Sequence, residues 1–106
     1  MTYTFRFYSD EVEGTISETL STEEEDLIRA AARKYYDKLE DDMELRKLRK
    51  RILAKIADYE LGNICNLGEI LENYGGDNVS DLDAMIDYLN DQVLWIYFPK
   101  ELVKEG

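Results

Sequence analysis

The amino-acid sequence predicts an α+β fold with elements in the order ββααααβ, and three observations carry that expectation. Residues near the N-terminus alternate with a period of two. The middle of the chain has apolar positions three and four residues apart, behind repeated helix-capping signals. The end returns to a short run of β-branched and aromatic residues. The expected architecture is a small antiparallel or mixed sheet, made from an N-terminal hairpin and a C-terminal strand. An insert of about four helices covers one face of it. A length of 106 residues fits one domain, 1–106.

Tyr3, Phe5 and Phe7 alternate with Thr4 and Arg6, the pattern of a half-buried strand. Residues 9–14 are polar and turn-like. Residues 15–20 alternate again, with Ile16 and Leu20 on one side and Thr15, Ser17 and Thr19 on the other. Glu18 falls on the Ile16 side, which marks an edge strand. Two strands so connected read as an antiparallel hairpin.

The period then becomes helical. Ser21/Glu24 and Thr22/Glu25 are overlapping capping boxes, and the acids from Glu23 to Asp26 suit a helix start. Ile28, Ala32, Tyr35 and Leu39 form a core-facing stripe. Asp41, Asp42 and Glu44 look like a second helix start. Leu45, Leu48, Ile52, Ile56 and Tyr59 follow as its stripe. The expected pair is two antiparallel helices with a tight link, in preference to one long helix over 22–61. Gly62-Asn63 ends the second helix. Asn66 opens a third, with Leu67, Ile70, Leu71 and Tyr74, and Gly75-Gly76 closes it. Ser80 caps a fourth, with Leu82, Met85, Ile86 and Leu89 facing inward. Residues 93–98, Val-Leu-Trp-Ile-Tyr-Phe, are apolar on both faces, as in a well-covered strand, and Pro99 stops them.

This order has a consequence for the surface. Helices on one face only would leave Tyr8 and one side of the last strand exposed, either Val93, Trp95 and Tyr97 or Leu94, Ile96 and Phe98. Exposed apolar patches mark interfaces, so a two-fold homodimer through the sheet face is expected.

The charges are sorted along the chain. The net charge is −11, yet residues 29–55 hold ten of the thirteen Lys/Arg against five acids, between flanks at −7 and −9. Such an acidic surface disfavours nucleic acid and anionic lipid as partners and favours basic ones; the expected partner is a protein. The single cysteine, Cys65, excludes an internal disulfide and reads as structural. With no signal-peptide pattern and no apolar run near ~20 residues, a cytoplasmic protein is expected.

Catalysis has little support. The chain has no histidine, so the commonest general base and every Ser-His or Cys-His pair are missing. Residues 77–83 resemble a calcium loop only loosely: Val79 takes a ligand position and Leu82 stands where glycine is needed. No catalytic residue, metal or cofactor is expected.

The expected function is a non-catalytic protein–protein binding or regulatory module. Two charged surfaces are candidates for partner binding. On the second helix, Arg46, Lys47 and Lys50 point away from the stripe, with Arg49, Arg51 and Lys55 flanking it. On the fourth, Asp83, Asp87 and Asp91 recur every turn, about 6 Å apart, behind Asp81. Such a row could imitate phosphates and block a basic groove, as an immunity-type inhibitor or nucleic-acid mimic would. The plainer reading of both is a solvated helix face. A third possibility is a ligand-binding or enzymatic pocket between sheet and helices, lined by Tyr35, Tyr59, Trp95 and Tyr97.

Overall fold

The computed structural model describes residues 1–34, 38–39 and 43–103. Two strands, β1 (Thr2–Tyr8) and β2 (Glu13–Thr19), form an antiparallel hairpin. Four helices follow: α1 (Thr22–Ala32), α2 (Arg46–Leu61), α3 (Leu67–Tyr74) and α4 (Asp81–Asn90). The strand β3 (Trp95–Tyr97) and a short α5 (Lys100–Val103) complete the chain. The sheet is small, open and antiparallel, in the order β2-β1-β3, and the fold is α+β in the order expected.

Alternation along β1 decides which face of the sheet is covered. Tyr3, Phe5 and Phe7 are buried, while Thr2, Thr4, Arg6 and Tyr8 are exposed. Their cross-strand neighbours Ile16 and Ile96 share the inner face. One core joins these side chains to Ile28 of α1, Ile52 and Ile56 of α2, Met85 and Leu89 of α4, and Leu102 of α5. Each large apolar side chain taken from water contributes roughly 1.5–3 kcal/mol.

The Ser21/Glu24 capping box forms as expected, with the Ser21 hydroxyl accepting from the Glu24 amide at 3.2 Å and the Glu24 carboxylate accepting from the Ser21 amide at 2.9 Å. Ser80 caps α4 by a single bond, its hydroxyl accepting from the Asp83 amide at 3.1 Å. Where local chemistry closes a loop of hydrogen bonds within four residues, the sequence expectation holds.

Longer-range pairing changes the rest. Helix α1 stops at Ala32 rather than continuing to Leu39. Leu39 is buried, but in extended backbone: its amide donates to the Ile96 carbonyl at 2.6 Å, and Lys38 bridges to Tyr97. The free edge of β3 thus offers backbone partners that further helix would forgo. Tyr35 and the proposed cap Asp41-Asp42 lie outside the described residues. Helix α2 begins at Arg46, with Leu45 in the cap position and no side-chain cap.

The two helices do not form an antiparallel hairpin either. Glu24 at the start of α1 pairs with Arg51 in the first half of α2, at 2.8 Å, whereas antiparallel neighbours would bring that start to the other end. Helix α1 packs on α5, and α2 packs on α4 and β2. Tyr59 is half exposed rather than core, its ring meeting Phe7 edge-on at 6.3 Å. In α4, Ala84 and Tyr88 are buried with Met85 and Leu89, while Leu82 and Ile86 are only partly covered.

Candidate binding surface

Among the described residues no helix packs over the aromatic end of the sheet's outer face, and that end is exposed. Tyr8 and Trp95 are directly opposed across β1 and β3, at 45% and 36% exposure, and Val93 just before β3 is 71% exposed. The exposed side of the last strand is therefore the Val93, Trp95, Tyr97 side; Ile96 and Phe98 are buried. The run 93–98 is accordingly half solvated, not covered on both faces. A small sheet with all its helices on one side cannot cover both.

Two cations lie on these rings. The Arg6 guanidinium sits 4.4 Å from the Tyr97 ring centroid, and the Lys38 ammonium sits 4.1 Å from that of Trp95. Arg6 is opposite Tyr97 in the strand register, so the first contact follows directly from pairing. The remaining outward side chains of the hairpin are mostly hydroxyls: Thr2, Thr4, Thr15, Ser17 and Thr19, with Thr2 and Thr19 hydrogen-bonded at 2.9 Å. Glu13 is the only acid that β1, β2 and β3 turn outward. In a chain of net charge −11 the strands bring this face a single negative charge, with Glu101 of α5 beside it.

Next to the Arg6–Tyr97 pair is a groove of about 560 Å³ with a mostly apolar wall, lined by Thr4, Thr15, Phe98, Lys100, Glu101 and Val103 together with the pair itself. A second, shallower hollow lies on the Tyr8, Glu13 and Gly14 side. The pocket anticipated between sheet and helices does not assemble. Trp95 and Tyr97 are on the outer face, whereas Tyr59 reaches the inner one at Phe7. Tyr35 lies outside the described residues.

The basic face of α2 is real but partly neutralised. Arg46, Lys47 and Lys50 are exposed. Arg46 has an interaction partner, and Lys47 shares a hollow with Glu23, Glu24 and Glu44. Arg51 pairs with Glu18 and Glu24, at 3.6 and 2.8 Å, and Lys55 pairs with Glu18 at 3.7 Å. The Arg51 hydrogen bond holds the Glu24 carboxyl below the usual glutamate value. Glu18, the acid on the apolar side of the edge strand, is thereby accounted for.

Asp81, Asp83, Asp87 and Asp91 are all exposed along α4. Asp91 is not a free end of the row. Its carboxylate lies beside the Tyr74 phenol and raises that hydroxyl above its ordinary pKa, and Tyr74 in turn meets Tyr88 edge-on at 5.6 Å. Cys65 is exposed rather than buried, because the turn between α2 and α3 leaves it in solvent.

Three cations of the outer face, Arg6, Lys38 and Lys100, are absent from the sequence-derived candidates. Alternation places Arg6 on the solvent side of β1, and that signal was available. Lys38 and Lys100 reach the face only through the tertiary path of the chain. No helix among the described residues is long and apolar enough to cross a membrane. Comparison with known families, curated proteins and solved structures finds no match.

Proposed function

We propose that this chain is a non-catalytic protein-binding module of the cytoplasm, and that it pairs with a second copy of itself through the outer face of the sheet. The exposed Tyr8–Trp95 pair, extended by Val93, is the observation that carries this reading. Two large aromatic side chains side by side in solvent lose little entropy on burial and supply the usual anchors of an interface. A second copy is the favoured occupant because of charge. Two chains of −11 repel each other least where acids are scarce, as they are on the strands' outer face. A two-fold axis over the sheet would bring each Trp95 against the other copy's aromatic end.

The chain has one tryptophan, so its emission reports on this contact alone. Light scattering at tens of micromolar is expected to give a dimer mass. Dilution is expected to shift the Trp95 emission to the red, and Tyr8→Glu is expected to give a folded monomer. A monomer mass at that concentration, with emission constant on dilution, rejects the reading.

A further inference from the structure

We propose that the groove beside the Arg6–Tyr97 pair binds a small carboxylate carrying an apolar chain or ring. Its volume of about 560 Å³ lies within the range of small-ligand sites. The chemistry of the ligand follows from what lines it. The Arg6 guanidinium carbon lies 4.4 Å from the Tyr97 ring centroid, a contact that leaves most of its five N–H donors available. Among the described residues no carboxylate pairs with Arg6, and none pairs with Lys100, which lines the same groove. Two cations and one acid line the groove, a positive balance in a chain of net charge −11.

An arginine fixed on a ring with its fork empty is pre-organised for a carboxylate, which it can hold through two parallel hydrogen bonds. Lys100 adds a second positive charge. Phe98 and Val103 give the apolar wall against which a chain or ring would lose its water. Glu101 lines the groove too and opposes an anion, so its charge tests the sign of the site. The groove also involves Thr4, four residues and about 13 Å along β1 from Tyr8. Arg6 and Tyr97 share the outer sheet face with the dimer contact, so octanoate binding is measured in Tyr8→Glu, where that contact is removed, as well as in the unaltered chain; either proposal can then fail without the other.

Octanoate is a suitable probe, with 1-octanol and octylammonium as partners of the same chain length and different charge. Calorimetric titration is expected to show octanoate binding at least about tenfold tighter than either control, the ratio that one charge-assisted pairing supplies. Arg6→Gln should weaken octanoate by about the same factor, Lys100→Gln should weaken it less, and Glu101→Gln should tighten it. Amide shifts on titration should centre on Tyr97, Phe98 and Val103. Equal affinity for octanoate and octanol overturns the proposal, as does no octanoate binding at millimolar concentration. Should Arg6→Gln fail to fold, the opposite responses of Lys100→Gln and Glu101→Gln decide it; if neither moves the affinity, the site is not the groove.

Discussion

Gly14 and Glu60 show how single positions in this chain answer to neighbours far away in sequence. A side chain on Gly14 would place its Cβ 3.1 Å from the Phe7 ring, and that ring is fully buried with Tyr59 against its edge. Glycine ordinarily weakens a strand, so alanine would be favoured here if space allowed. The ring has no room to yield, and Gly14→Ala is expected to cost about 1 kcal/mol in urea denaturation, the lower end for overpacking.

Among the described residues Glu60 is the only buried acid, at 5% exposure, and no ion pair is formed with it. Burial pushes its carboxyl above the ordinary 4.5. The folded chain therefore holds this proton more tightly than the unfolded chain does. Its contribution to stability is complete below the ordinary value and is lost as pH rises through the raised folded one. Glu60→Gln should consequently stabilise the protein at pH 7.5, by about 0.5–1 kcal/mol, and by progressively less towards pH 4.5. A difference constant across that range would show that solvation of Glu60 is unimportant.

Among the elements, α1 and α2 make opposite use of charge. Helix α1 begins with Glu23, Glu24 and Glu25 behind a capping box, as its dipole favours. Helix α2 begins with Arg46 and Lys47, has no acid in its first turn, and has no base in its last. Its own dipole opposes this order, while cations further along the helix are held by other elements. Arg51 and Lys55 show which. Met1 and Leu20 exchange both backbone hydrogen bonds, so by alternation Ser17 and Thr19 direct their carbonyls away from β1, towards the free edge. The Lys55 ammonium donates to the Ser17 carbonyl and the Arg51 guanidinium to that of Thr19. The same two side chains pair with Glu18.

Helix α2 therefore guards an edge strand that could otherwise template aggregation. Replacing Arg51 and Lys55 together by Gln is expected to cost about 1 kcal/mol, modest because these ion pairs are partly in solvent. It should also raise thioflavin-positive aggregation on heating, whereas Lys47→Gln with Lys50→Gln should not. Part of the basic sorting along the chain is thus a structural device of the sheet. Its origin was hidden in the sequence because Glu18 and Arg51 are 33 positions apart.

For the molecule as a whole, the proposed dimer predicts an unusual salt response. Two copies of net charge −11 repel, and screening relieves that repulsion, so dimerisation should tighten between 50 and 500 mM salt at roughly constant pH. Capture of a basic protein by the exposed Asp81, Asp83 and Asp87 would respond in the opposite direction. Sedimentation velocity across that salt range separates the two.

The elements of this protein were determined by its sequence wherever a few neighbouring residues settle the matter. Alternation in β1 named Tyr3, Phe5 and Phe7 as its buried side, and the Ser21/Glu24 and Ser80 caps placed two helix starts. It also foretold that helices on one face would leave aromatic side chains of the last strand in solvent. Only the tertiary structure decided where α1 ends, since Leu39 gives up helix for a hydrogen bond to Ile96, 57 positions away. Only it decided which side of residues 93–98 faces out, because a run apolar on both sides carries no alternation to read. And only it brought Lys100 beside Arg6 and Tyr97. The physical reason is common to all three. Capping and alternation are satisfied within one turn or one strand, whereas an edge hydrogen bond or a groove exists only after distant segments have met.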